Sequence, residues 1–185
     1  MQRGSPRETI VGVVERRLAA ILAADVVGYS RLMSSDEDGT LRRVKALFGD
    51  TVRPKIVEYR GRLVKTNGDG FLAEFGSVYD ALNCAVDVQA GVSKDQETPD
   101  TPLQMRMGIN IGEIIFDEGD VFGDGVNIAA RLEALAQPGA ICVSQRAWDD
   151  LRKLDHQFED LGDQKLKNIL HPVRVYSLAP RTLGR

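Results

Sequence analysis

Cysteine, histidine and tryptophan are scarce: two, two and one among 185 residues. Cys84 and Cys142 each stand among apolar or small neighbours with no framework spacing. That excludes a disulfide-stapled secreted scaffold and fits reduced thiols in a core. His156 and His171 have no cysteine or second histidine at metal-ligand spacing, and no Gly-x-Ser-x-Gly elbow occurs, so zinc-centre and serine-hydrolase readings fall away. Long apolar runs are missing too. The run Leu18 to Ala24 stops at Asp25, far short of the roughly 18 residues a membrane-crossing helix needs. The charged start has no signal-peptide core behind it, so the expectation is a cytoplasmic protein. Nor is there an excess of one charge: 24 basic and 27 acidic residues leave −3, which argues against a protein that wraps a nucleic-acid backbone in lysine and arginine.

What remains is an ordinary globular composition, 43% hydrophobic and 28% charged, in a length suited to one domain. Residues 1–15 carry glycine, serine, proline and charge before any sustained pattern and read as a leader or junction. Residues 16–178 read as the domain, and 179–185 as a tail. No internal repeat is present.

The apolar stretch from Leu18 ends in Asp25 and Gly28, as a buried strand running into a turn does. Ser34, Ser35 and Asp36 offer N-cap oxygens for a helix, and Glu37, three residues after Ser34, gives capping-box spacing. After them Leu41, Val44, Phe48, Val52 and Ile56 form one apolar helical stripe that Pro54 is expected to kink or divide and Gly61 to close. Two strand-like runs flank Asn67-Gly68-Asp69-Gly70, the strongest hairpin signal in the chain. A helix is expected through Val78 to Val88, a surface loop over 91–102, one bent strand or two over 103–115, and a helix over about 125–136. A short strand at 140–143, a helix capped by Ser144 and a closing pair of strands complete an α+β plan, with helices covering one side of a largely antiparallel sheet.

Asp25 and Asp69 fall at strand ends or turns among apolar and glycine neighbours. Two carboxylates converging at a sheet edge suit a hard cation such as Mg²⁺, although each acid alone also fits a turn or a cap. Asn127 and Arg131, four apart, share a helix face and make a paired donor set. An isolated pair of this kind is equally a solvated helix face. Gly119, Gly123 and Gly125 lack the dinucleotide-binding spacing, and Asp36-Glu37-Asp38-Gly39 lacks the later ligands of a calcium loop.

Four ordered motifs then stand out: Ala-Asp-Val-Val-Gly-Tyr-Ser at 24–30, Val-Lys-Thr-Asn-Gly-Asp-Gly-Phe-Leu-Ala-Glu-Phe at 64–75, Met-Arg-Met-Gly-Ile-Asn-Ile-Gly at 105–112, and Asp-Val-Phe-Gly-Asp-Gly-Val-Asn-Ile-Ala-Ala-Arg-Leu-Glu at 120–133. Together they resemble the class III nucleotidyl cyclase catalytic domain over roughly residues 16–178. A further segment, 161–168, carries Asn168 where the family commonly has glycine. The resemblance implies the ferredoxin-like cyclase fold and a homodimer with its active sites at the interface. It also implies two Mg²⁺ or Mn²⁺ ions per site, held by Asp25, Asp69 and the Val26 carbonyl.

By the same resemblance Lys65 and Asp120 recognise the purine. A lysine donor toward adenine N1 and an aspartate acceptor toward the amino group select ATP over GTP. Asn127 orients the ribose, Arg131 stabilises charge on the α-phosphate, and Arg106 and Lys167 contact the phosphate tail, with the backbone N–H groups of Gly28, Tyr29 and Ser30 cradling the triphosphate. The implied activity is adenylate cyclase, ATP to 3′,5′-cyclic AMP and pyrophosphate. The alternatives are a guanylate cyclase and a non-catalytic nucleotide-binding or dimerisation module. A regulatory or repeat domain attached outside these residues is a further implied partner.

Overall fold

The apolar run that ends at Asp25 forms β1 (Glu15–Val26), whose C-terminal half is buried on both sides, as a strand at the centre of a sheet must be. It belongs to a computed structural model that describes residues 14–94 and 102–180. After β1 come α1 (Tyr29–Ser35), α2 (Glu37–Ala46), a π-helical stretch over Leu47–Val52 and α3 (Arg53–Glu58). The hairpin strands β2 (Arg62–Thr66) and β3 (Gly70–Phe75) lead into α4 (Val78–Lys94). Next are the long β4 (Met105–Asp117), the short β5 (Asp120–Phe122) and α5 (Asp124–Leu135). The chain closes through β6 (Ile141–Ser144), α6 (Gln145–Leu151), β7 (Phe158–Gln164) and β8 (Val173–Leu178).

The strands form one sheet in the order β2-β3-β1-β4-β6-β8-β7, with β5 folded back on β4. Only β4 and β6 pair in parallel among the described strands; every other pairing is antiparallel. The period-two alternation of β1 divides the core. Ala20, Leu22, Ala24 and Val26 face one side and pack with α4 residues such as Leu82, Ala85 and Val88. Ala19, Ile21 and Ala23 face the other side, where they meet Ala129 of α5. The expected one-sided helical layer is therefore corrected: α5 lies on the opposite face from α4. It can lie there because Gly108 of β4 has no side chain, and a Cβ at that position would stand 2.3 Å from the Glu133 nitrogen and 2.4 Å from the Ala129 oxygen.

Several boundaries also differ from the sequence reading. Of the three N-cap candidates it is Asp36 that caps α2, its Oδ1 accepting from the Gly39 N–H at 2.9 Å. Ser34 does not form the expected capping box, because it lies within α1 and donates instead to the Ser30 carbonyl at 2.8 Å. Pro54 stands at the start of α3, directly after the π-helical turn, into which the Arg53 N–H still donates at Phe48 O, and this wider turn takes up the change of path that proline forces. Gly61 closes α3 by donating to Ile56 O, although the residue in the left-handed region is Arg60 at φ +57°. Gly91 to Lys94 continue α4 where a loop was expected, and residues 95–101 of that loop lie outside the described residues. Glu15, assigned to the leader, opens β1; the rest of the leader to residue 13 and tail residues 181–185 lie outside the described residues. Both cysteines are free and buried, as expected.

Candidate active site

The register of the central strands places Asp25 between Gly70 of β3 and Arg106 of β4. Gly70 is required there, since a Cβ would approach the Ala24 carbonyl to 2.6 Å and the Asn67 side-chain oxygen to 2.8 Å. The hairpin turn is tied to the end of β1 by the Val26 N–H, which donates to the Asp69 carbonyl at 2.9 Å. Asp25, Val26 and Asp69 are thus brought to one end of the sheet by strand register and one backbone hydrogen bond.

Arg106 grips Asp25 with both prongs of its guanidinium, Nε to Oδ1 at 3.1 Å and Nη2 to Oδ2 at 2.7 Å. The same Nη2 stands 3.4 Å from Oε1 of Glu133 on α5, an ion-pair distance without hydrogen-bond alignment, so that buried oxygen has no hydrogen-bond partner. Burial, and then the neighbouring Asp25 carboxylate, pushes Glu133 up to about 8. Asp69 is likewise raised, first by burial and further by Asp25. Removing carboxylates from water beside one another disfavours their ionised forms, and a cation favours them.

A cavity of about 220 Å³ opens beside these acids, lined by Asp25, Asp69, Lys65, Val126, Ala130 and Glu133 among others. Within the described residues no three acidic, histidine or cysteine side chains converge as a closed metal cage. Two carboxylates, a nearby backbone carbonyl and an arginine standing in as the cation fit instead an open, all-oxygen site of the kind Mg²⁺ completes with water and substrate phosphate.

The second cluster lies on the two hairpins. Lys65 Nζ reaches both carboxylate oxygens of Asp120, at 3.2 and 3.3 Å. Asp120 is held below its ordinary value, first by the Val121 N–H that it accepts at 2.8 Å and also by Lys65. Asn127 is exposed on α5, and Arg131, one turn later, donates from Nε to the Lys167 carbonyl at 3.1 Å. Neither of them lines the cavity beside Asp25 and Asp69; of the purine, ribose and α-phosphate set, Lys65 alone does. Gly28, at φ +65°, turns the chain into α1, so Tyr29 and Ser30 stand in the first helical turn. Asn168 adopts φ +63°. Asparagine tolerates this left-handed conformation better than most residues, which accounts for its standing where a glycine is usual.

Two acids in these surroundings had no role in the sequence reading. Glu133 follows the apolar Leu132, and its approach to Asp25 depends on α5 crossing the strands. Glu74 is a buried glutamate in a strand of otherwise buried small and apolar residues, a sequence anomaly that gave the one available signal.

Residues 14–180 match the adenylate and guanylate cyclase catalytic domain family. A Rhizobium meliloti protein, provisionally named adenylate cyclase 3, is 42% identical over 175 residues, covering 93% of this chain and 30% of its own length. An adenylate cyclase of Streptomyces coelicolor is 33% identical over 139 residues, 75% of this chain and 35% of its own. The chain thus spans about a third of the length of these relatives. A crystal structure of an adenylate/guanylate cyclase/hydrolase from Silicibacter pomeroyi superposes with a TM-score of 0.84 at 46% identity, covering 90% of this chain and 99% of that one. No helix among the described residues is long and apolar enough to cross a membrane. With the family matched from β1 through β8, the chain belongs to the adenylate and guanylate cyclase catalytic domains, a membership that implies a divalent metal requirement in general.

Proposed function

We propose that this domain is an adenylate cyclase that converts ATP to 3′,5′-cyclic AMP and pyrophosphate at the interface of a homodimer. The observation that carries the reading is the paired Lys65 and Asp120, a donor and an acceptor side by side on neighbouring hairpins, in a chain that also brings Asp25 and Asp69 to one cavity. That donor–acceptor order suits the Watson–Crick edge of adenine, and guanine presents the opposite pattern.

In the reaction the ribose 3′-oxygen attacks the α-phosphorus, a 3′-O–P bond forms, the bond to the β-phosphate oxygen breaks, and the hydroxyl proton leaves to solvent. A divalent ion, Mg²⁺ or Mn²⁺, held by Asp25, Asp69 and the Val26 carbonyl would acidify the 3′-hydroxyl and offset charge on the leaving pyrophosphate. Asn127 holds the ribose, and the Arg131 guanidinium meets charge that develops on the α-phosphate. Arg106 exchanges its grip on Asp25 for the triphosphate, assisted by Lys167 and the N–H groups of Gly28, Tyr29 and Ser30. Because the reaction is intramolecular in the nucleotide, fixing the 3′-oxygen near the α-phosphorus supplies on the order of 7–11 kcal/mol in favourable cases.

A cavity of about 220 Å³ is smaller than the roughly 300–1,000 Å³ of typical ligand pockets, which supports completion of the site by a second copy. In a symmetric pair each copy offers its metal acids to one site and its Lys65, Asp120, Asn127 and Arg131 to the other. The test incubates the protein at several concentrations with ATP or GTP and Mg²⁺ or Mn²⁺, and separates the products. Cyclic AMP that rises faster than linearly with protein and vanishes in Asp69→Ala is expected. Mixing inactive Asp69→Ala with inactive Arg131→Ala should restore about one site per mixed dimer. Cyclic GMP instead, or no cyclic product from a demonstrated dimer, overturns the reading.

A further inference from the structure

Glu74 is the penultimate residue of β3, with 7% of its surface exposed. Its Oε1 accepts from Arg17 Nη2 at 2.6 Å and from Arg62 Nε at 2.7 Å. Both guanidinium groups lie over the Phe116 ring, 5.3 and 4.6 Å from its centroid. Arg62 then reaches beyond β2: its Nη1 donates to the Gly119 carbonyl at 3.0 Å. Gly119, at φ +87°, follows Glu118 at φ +46° in the tight turn between β4 and β5, and the next residue is Asp120.

Burying a carboxylate in a strand is costly unless its partners are well placed, so this cluster calls for an account beyond sheet stability. The Lys65–Asp120 pair is itself half exposed on both sides, and exposed ion pairs fix side-chain geometry poorly. The β4–β5 ladder pairs Asp117 with Asp120, and the Arg62 contact to Gly119 ties that turn to β2, the strand that carries Lys65. We propose that Arg62, oriented by Glu74 and Phe116, is a positioning residue for purine selectivity: it clamps the Gly119 carbonyl and so sets Asp120 opposite Lys65 without touching nucleotide. This rests on the reading of Lys65 and Asp120 as the purine pair.

The test compares ATP with GTP, as kcat/KM and independently of turnover as the ratio of dissociation constants from equilibrium dialysis. The proteins are wild type, Arg62→Leu, Arg62→Lys, Asp120→Ala and the double variant Arg62→Leu/Asp120→Ala. Arg62→Lys keeps a charge beside Glu74 but lacks the fork that joins Glu74 to Gly119. Both Arg62 variants are expected to lose about fivefold to tenfold of the preference for ATP, the loss of one positioning hydrogen bond. The loss should appear in KM with kcat within about twofold, and Arg62→Lys should keep the wild-type melting temperature. The double variant should be no less selective than Asp120→Ala, since coupled residues are not additive.

If Asp120→Ala loses the preference while both Arg62 variants keep it, the positioning role is overturned and the purine reading stands. If Asp120→Ala keeps the preference, the purine reading falls and the selectivity role with it. Amide hydrogen exchange across residues 117–121 should accelerate in both Arg62 variants, and unchanged exchange there overturns the clamp.

Discussion

Two charged clusters on the same face of the sheet are built in opposite ways. Around Asp25, Asp69, Arg106 and Glu133 the acids are partly buried and pressed together, with an arginine holding the place of a cation. Around Lys65 and Asp120 the charges are exposed and matched one to one, and the buried charge is Glu74 behind them, held by the partly exposed Arg62 and Arg17. The difference follows from what each end must release. On the proposed function the metal end would exchange its arginine for a cation and phosphates on every turnover, so its free-state contacts must be replaceable. The purine end presents a fixed donor–acceptor order, so it gains from a rigid support.

The comparison predicts the largest effect where charge is concentrated. Asp25→Ala leaves Arg106 without the acid that it grips and removes a candidate metal ligand. Cyclase activity should fall on the order of 10³-fold or more, in kcat above all. A loss under about tenfold would erase the contrast between the two ends. Next is Arg106→Ala, which leaves Asp25 without its resident cation. Binding of Mn²⁺ to the nucleotide-free protein, read by electron paramagnetic resonance, should tighten by about fivefold to tenfold as a competing positive charge is removed. The KM for ATP should rise in the same protein. Weaker Mn²⁺ binding would show that Arg106 orders Asp25 rather than competes for it.

How far these ends were legible in the sequence differs for a physical reason. Asp25 and Asp69 were readable because each breaks a local pattern, an apolar run ending in acid and a hairpin turn. The Lys65–Asp120 pairing and the Arg131 role came through motif resemblance, since no local periodicity brings residues 55 positions apart together. The hairpin and the helix carrying Asn127 and Arg131 were legible in the sequence, and the long β4 was one of two readings that the alternation over 103–115 left open. The face on which α5 lies did not, because that is decided by Gly108 and Gly112 meeting the helix backbone, a tertiary fact. The approach of Glu133 to Arg106 depends on that same crossing, and so does the surplus of carboxyl groups that distinguishes the metal end.

The smallest predicted effect probes that surplus directly. Glu133 carries a folded-state value of about 8 against an ordinary 4.5, so between these limits the native protein binds more protons than the unfolded chain. Stability of the metal-free protein therefore falls as pH rises from about 4.5 to about 8 and levels off above. Asp69, raised for the same reason, acts with the same sign. Glu133→Gln puts a neutral amide where the protonated carboxyl stood, which removes the Glu133 share of the slope and leaves that of Asp69. The melting temperature of the variant relative to wild type should thus climb across this window by about 2–4 °C, equivalent to roughly 1 kcal/mol in a domain of this length. That is well below the full effect of such a shift, because solvent at the cavity mouth screens the site. Parallel pH profiles for the two proteins would place the proton elsewhere and make the metal end as electrostatically settled as the purine end.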